Sequence, residues 1–548
     1  MEGESGGPQL PMPSRSWGAL PAPLLVVVTF SWLILATAIV SGAHYDEAYR
    51  LVLWPPSGES LGDFLLQFAG SLVGLSLSTA ALALLLALVP ASLAGYFLAL
   101  KAPERVRRWG LFAVFAAWIL SLPRAIASLT LWLSPWSDLV PWWPMLANAP
   151  RVALSADLAL PPIALAVYSS LRGYFLGLPW PPSGDTRADR FVRESIPRGV
   201  AGLAFGFLLA GAVTFLGGIV PGPFFSGDLG IDAFIITQAT IIGGAPAGAA
   251  SLLVALGLVL SFVVTFLVAL WSVRRFLMPW MLGRPAMRLR IPDRRLSSLS
   301  MFVTGAGMAF VLYVSYLPLF VAVAMSFNAS DDLTAFSGWS GRWYGYLVED
   351  PAFVEMFWNA LGFAILTAAV ALAFVMLAAR SVPTLEPRRR TLIRVVLYMA
   401  LSVPLWILVL MAYFSLAIPA SLFFPFNTDP WILPLSLLIH LPWAIGFAFI
   451  VTAASGDWQV PRVFGSRTMH WVRPMIAAGL VAFAATLNAS IWSLGPYPYS
   501  INAWTYGIIT KKILTPAVFA GITVSTTLSL AALFAAWKVL RSREPARF

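Results

Sequence analysis

The chain contains no cysteine. That absence excludes disulfides, a thiol nucleophile and any Cys-ligated metal centre. Histidine is scarce as well. His44, His440 and His470 are the only three, and their spacing matches no metal-binding motif. Charge is thin: 11% of the residues are Asp, Glu, Lys or Arg, against roughly 25% in soluble domains. No Gly-x-x-x-x-Gly-Lys-Ser/Thr loop occurs, so the chain carries no P-loop nucleotide site of its own. Paired carboxylates and Ser/His/Asp arrangements do not stand out either. These gaps point away from an enzyme and away from a cofactor.

What is present is apolar. Of 548 residues 59% are hydrophobic and 14% aromatic, and the mean hydropathy is +0.82. A water-soluble fold could not hide that much apolar surface, so lipid is the solvent for most of the chain. A span needs about 20 apolar residues, and it is helical because the backbone must satisfy itself in lipid. Twelve runs qualify: 22–42, 71–100, 109–133, 157–171, 199–220, 248–273, 303–326, 357–380, 391–418, 430–453, 473–494 and 514–537, the fourth of them short. The first run ends at Ser41-Gly42-Ala43, which also fits a signal-peptide cleavage site. A retained first span agrees better with the topology.

The charges alternate with the runs. Segments 1–21, 101–108, 172–198, 274–302, 380–394, 455–473 and 538–548 hold 29 of the 35 Lys and Arg residues. The other connections hold Arg50, Arg151, Arg342, Lys511 and Lys512, and Arg124 lies inside a run. The positive-inside rule therefore places both termini in the cytoplasm. Acids such as Asp46, Glu47, Asp331, Asp332, Glu349 and Asp350 collect on the opposite side. The net charge of +11 is thus topological and implies membrane lipid, not nucleic acid, as the charged partner.

The two halves of the chain resemble each other. Ser121-Leu122-Pro123 matches Ser402-Val403-Pro404, Pro161 matches Pro442, and Gly184 matches Gly465, each pair 281 residues apart. Ile231-Asp232-Ala233-Phe234 matches Ile501-Asn502-Ala503-Trp504, and Pro246-Ala247 matches Pro516-Ala517, at 270 residues. Ser78-Thr79-Ala80-Ala81 resembles Leu366-Thr367-Ala368-Ala369 at 288. Six spans per copy make this a parallel duplication, related by an axis along the membrane normal. The implied organisation is a tail at 1–21, a first repeat at 22–273, a basic linker at 274–302, a second repeat at 303–540 and a tail at 541–548.

Ser326-Phe327-Asn328, Phe336, Trp339 and Trp343-Tyr344 resemble the opening segment of type I permeases from binding-protein-dependent ABC importers. The spermidine/putrescine branch is the nearest in character. Pro161 followed by Tyr168-Ser169-Ser170-Leu171-Arg172-Gly173, and Ala245-Pro246-Ala247-Gly248-Ala249-Ala250, resemble later parts of the same domain. The likeness spans about 65–275 and 303–540. It implies an all-α fused two-domain permease in a bacterial inner (plasma) membrane. It implies as partners two copies of a cytoplasmic ATP-binding cassette subunit and a periplasmic or extracellular solute-binding protein. Its substrate would be a polyamine-like or other small solute.

The resemblance also places the ATPase-coupling loops, at 172–198 and 454–473. In the first, Gly184, Phe191 and Pro197 fall on the family pattern and Arg187 lies between them; in the second, Gly465 does, flanked by Gln459 and Arg467. The Glu-Ala-Ala that opens such loops falls on Leu178-Pro179-Trp180 and on Gln459-Val460-Pro461, so neither copy keeps the acid. The acidic pair of some polyamine permeases is replaced by Ala489 and Ser490.

Four residues are candidates for the translocation path: Pro123, Arg124, Pro404 and Asn488. A charge inside a span is costly and often functional, but Arg124 could also snorkel outward or pair with a carbonyl. Asn488 either lines the path or bonds a neighbouring helix. The prolines either break helices and gate, or are tolerated kinks. A twelve-helix secondary transporter is the alternative reading, although the turn Lys101-Ala102-Pro103-Glu104-Arg105 does not fit the Gly-Asp-Arg-rich turn of such carriers.

The charge alternation makes a direct prediction. Reporter fusions after residues 105, 185, 285, 386 and 465 should report cytoplasm, and fusions near 55, 140, 235, 340 and 425 the outside. One reproducible inversion in mid-chain would rule out the twelve-span topology.

Overall fold

The computed structural model describes residues 19–29, 31, 43–45, 51–53, 74–132, 150–172, 297–381 except 332, 334 and 335, 429–454, 469–488 and 515–541. It adds scattered residues within 199–210, 385–401 and 501–505. The structure is helical, with one small exception to the all-α expectation. Strands β1 (Ala43–Tyr45) and β2 (Leu51–Leu53) pair antiparallel, with His44 opposite Val52.

The helices follow in chain order. They are α1 (Gly74–Tyr96), prolonged by a π-helical turn at Phe97–Lys101, then α2 (Glu104–Ile119), α3 (Ser121–Trp132) and α4 (Pro150–Arg172). After the linker region come α5 (Ser297–Ser326), α6 (Arg342–Glu349) and α7 (Pro351–Ser381). The last are α8 (Asp429–Ala454), α9 (Met469–Leu487) and α10 (Pro516–Arg541). Five stretches among the described residues are long and apolar enough to cross a membrane: Ser78–Lys101, Val152–Leu171, Leu299–Ser326, Pro351–Ala378 and Pro516–Leu540. The bent pair α2–α3 would make a sixth. This is a multi-pass membrane protein.

The structure corrects the span reading in two places. The fourth run was read as short, beginning at 157, but α4 starts at Pro150 and supplies a full-length span. The third run was read as one helix, but it is broken at Leu120, where α2 and α3 meet at 71°. Pro123 explains the break. It has no N–H for the carbonyl of Ile119 four residues earlier, and its ring crowds that oxygen. Ile119 is the last residue of α2. Pro161 and Pro442, in contrast, lie inside the continuous helices α4 and α8. Pro404, linker residues 274–296 and coupling-loop residues 173–198 and 455–468 lie outside the described residues.

Lipid tails are as apolar as leucine, so helices in a bilayer associate through close packing of small residues. Among the described residues the most extensive contact is between α1 and α4. A Cβ added to Gly95 of α1 would lie 2.6 Å from the carbonyl oxygen of Ala164 and 2.8 Å from the Cβ of Val167. Gly202 and Gly206 approach the same helix, at the Cα atoms of Val167 and Ile163. α4 is consequently wrapped by protein, whereas α1, α5 and α7 keep large exposed apolar faces. α5 packs on α1, α3 and α10, while α7, α8, α9 and α10 form a second group centred on α9.

Gly95 gives a test of this packing. Gly95→Ala should lower the thermal midpoint of the detergent-solubilised protein, with an overpacking cost of about 1–3 kcal/mol. Gly362→Ala, where nothing lies within 4 Å of the added methyl, should be neutral or slightly stabilising. Equal midpoints for the two variants would show that the α1–α4 contact does not depend on backbone approach.

Candidate functional site

Arg124 is the only charged residue of the third run, and its side chain is fully buried. It sits in the first turn of α3, directly after Pro123. A guanidinium carries five N–H donors and no acceptor, so in an apolar interior it must find several oxygens. It finds three. Nη1 donates to the backbone carbonyl of Ala117 at 2.8 Å. Nη2 donates to the backbone carbonyl of Asp157 at 3.2 Å and forms an ion pair with the Asp157 carboxylate. Nε has no partner among the described residues.

Both carbonyls are ones that helix geometry leaves open. Ala117 lies in the last turn of α2, where carbonyls lack intrahelical donors. The carbonyl of Asp157 would normally receive the N–H of residue 161, which is a proline and has none. One arginine therefore repairs the end of α2 and the gap that Pro161 leaves in α4. The Asp157 carboxylate, itself almost fully buried, balances the charge. Leu122, Ala125 and Ile126 beside Arg124, and Leu154 and Leu158 beside Asp157, belong to one apolar cluster with Leu319 of α5 and Phe519 of α10. Tyr316 of α5 adds a tie to α2, donating its hydroxyl to the Ala113 carbonyl at 2.6 Å.

Asn488 directly follows α9 and is also buried. Its Nδ2 donates to the Ala484 carbonyl at 2.9 Å and to Ser529 Oγ on α10. Its Oδ1 has no partner among the described residues. Thr526, three residues before Ser529 and so on the same side of α10, also has a buried Oγ1 without a partner. Two acceptors near the α9–α10 contact are thus without a partner among the described residues. No hydrogen bond links Arg124 to Asn488, although α10 packs on both α3 and α9.

The segment between α5 and α7 is the third feature. Asn328 is fully buried, and its Oδ1 accepts from Ser337 N at 2.9 Å and from Ser337 Oγ at 3.0 Å. Its backbone carbonyl accepts from Trp343 Nε1 at 2.7 Å. Backbone bonds Ala329 N to Gly338 O, 2.9 Å, and Ser340 N to Phe327 O, 2.7 Å, close the loop. Gly338 has φ +127°, a region that residues with a Cβ rarely adopt. Ser326 Oγ donates to the Val323 carbonyl and stands 2.7 Å from the Tyr344 hydroxyl, which therefore donates to it. Phe327 contacts Trp339 and Tyr344, and Phe336 meets Trp339 edge-on. Every residue of the Ser-Phe-Asn … Trp-Tyr motif is thereby engaged in one cap. Below it, Trp504 donates to Asp350 at 3.1 Å and packs on Phe353.

Of the residues singled out in the sequence, Pro123 and Arg124 meet at the α2–α3 break, and Asn488 lies apart, just after α9. Gly184, Arg187, Phe191, Pro197, Pro404, Gln459, Gly465 and Arg467 lie outside the described residues. Sequence reasoning missed Asp157. An acid 33 residues from a lone intramembrane arginine, at the mouth of the next apolar run, was the available signal, since charges inside a membrane pair with one another. The chain matches no family model, no curated protein and no solved structure.

Removing one partner of a buried ion pair costs about 3–5 kcal/mol. Arg124→Ala should therefore lower the thermal midpoint sharply. Arg124→Lys should fail to restore it, because an ammonium cannot fork between carbonyls on two helices. Asp157→Asn should be milder than Arg124→Ala, since the backbone bonds of Arg124 survive. A wild-type midpoint for Arg124→Ala would show that the pair does not hold the bend.

Proposed function

We propose that this chain is the permease subunit of an ATP-driven importer. Two six-helix repeats would form one path across a bacterial inner (plasma) membrane, with both termini cytoplasmic. The observation that carries this reading is the cap between α5 and α7. The residues that resemble the family's opening segment are the ones whose side chains tie the loop together, from Ser326 to Tyr344. A motif that serves as one folded unit is a stronger likeness than scattered identities.

The rest of the reading follows from chemistry. With no nucleotide loop in the sequence, ATP hydrolysis belongs to a partner, two copies of a cytoplasmic ATPase docked on the loops at 172–198 and 454–473. A soluble solute-binding protein would deliver substrate to the opposite face. Asn488 Oδ1 and Thr526 Oγ1, buried and without a partner among the described residues, would suit a solute that donates N–H bonds, such as a polyamine-like cation. The acid-rich outer segments would raise the local cation concentration.

A secondary transporter of twelve helices is the second reading. The intramembrane Arg124–Asp157 pair favours it, because such pairs mark ion and proton routes in carriers.

Copurification separates the two. The importer reading expects two ATPase subunits to copurify with the full chain. It expects Gly184→Trp and Gly465→Trp to lose that association while still inserting, because a bulky residue blocks close backbone approach. Transport by the chain alone in proteoliposomes, driven by an ion gradient, would refute the importer and support the carrier. A solute receptor that ignores spermidine and putrescine would overturn the substrate class alone.

A further inference from the structure

The seam between α2 and α10 carries an aromatic wall. Trp109 and Phe112 of α2 meet Phe534 and Trp537 of α10, all four in mutual contact, with Trp109 and Trp537 centroids 4.4 Å apart. Phe112 and Trp537 are half-buried, but the outer two rings are not core. Trp109 is 48% exposed and Phe534 43%. Large exposed rings at the end of membrane helices belong to the interfacial layer, where one side of the ring is apolar and the other wet.

Basic residues continue both stripes. On α2, Arg105, Trp109 and Phe112 are spaced i, i+4, i+7 and so share one helix face. Arg105 is exposed and lies one turn beyond the Trp109 ring, about 6 Å along the axis. On α10, Lys538 follows Trp537 and stands four residues after Phe534, so it shares the face of Phe534. It too is exposed. Because Trp109 touches Trp537, the start of α2 and the end of α10 lie at the same end of the bundle. Arg105 and Lys538 both flank the wall at that end, the basic side of the membrane by the charge alternation. The neighbouring acid Glu104 is paired with Arg108.

An apolar wall that ends in two cations fits one kind of molecule. We propose that this seam binds an anionic phospholipid, with acyl chain against Trp109, Phe112, Phe534 and Trp537 and phosphate between Arg105 and Lys538. A zwitterionic lipid would bring its own cation to the same two positive charges and gain less. The lipid would fill the junction where the first half of the chain meets the last helix of the second. The proposal needs only a membrane-spanning chain and holds for importer and carrier alike.

The test uses the full-length protein in detergent without any ATPase, delipidated and titrated with phosphatidylglycerol or phosphatidylcholine under native mass spectrometry. The wild type should take up one phosphatidylglycerol in preference to phosphatidylcholine. Arg105→Gln/Lys538→Gln should bind it about tenfold more weakly, at roughly 1 kcal/mol per basic residue less screening. Both changes are on the surface, so folding is preserved. Arg388→Gln/Arg389→Gln removes the same charge elsewhere and should bind like the wild type. Three results would overturn the proposal: equal binding of the two lipids by the wild type, unchanged binding by the Arg105/Lys538 variant, or equal weakening in the control.

Discussion

The structure turns on one guanidinium. Arg124 bonds carbonyls on two helices and a carboxylate on the second. In water these oxygens would be solvated and the arginine would be dispensable. In a bilayer each unpaired polar group costs several kcal/mol, so the bend between α2 and α3 and the proline in α4 can persist only if something inside the protein supplies donors. The position of Arg124 beside Pro123 is then no accident of composition. The residue that breaks the helix and the residue that repairs the break are adjacent in sequence.

The same constraint organises the other polar groups. Many buried hydroxyls among the described residues bond back to a carbonyl one turn earlier, as Thr130 does to Ile126 and Thr523 to Phe519. His440 in α8 bonds the Ser436 carbonyl at 2.6 Å and meets Phe363 edge-on. Asn488 Oδ1 and Thr526 Oγ1, like the hydroxyls of Ser155, Ser315, Thr367 and Ser436, have no partner among the described residues, and a buried acceptor without a donor is expensive. A route for a hydrogen-bonding solute is one physical reason to keep them.

Packing follows from the solvent as well. Without a hydrophobic drive between helices, contact area and backbone approach must do the joining. Gly95, Gly202 and Gly206 bring neighbouring backbone against α4, and Gly307 of α5 brings α1 to within 2.5 Å of an added Cβ at Leu93. The enclosure of α4 places Asp157 where Arg124 balances it. Exposed rings stand both along α5, at Phe310, Tyr313 and Phe320, and near helix ends, at Trp339 and Tyr346 beyond α5 and at Trp109 beside α10.

Much of this was legible in the chain itself. Apolar runs of span length set the membrane class, because no aqueous fold hides 59% hydrophobic residues, and they overlap α1, α5, α7 and α10, although α5 and α7 each start six residues earlier than their runs. Arg124 stood out as a charge in an apolar run, and Pro123 as a helix breaker beside it. What the sequence could not decide was partnership. That Asp157 faces Arg124, that Pro161 is tolerated while Pro123 breaks its helix, and that Asn328 pins a loop nine residues long are facts about which groups meet in space. A linear pattern records the cost of a buried charge or an open carbonyl, but only the packing of α3 against α4 shows which neighbour meets that cost.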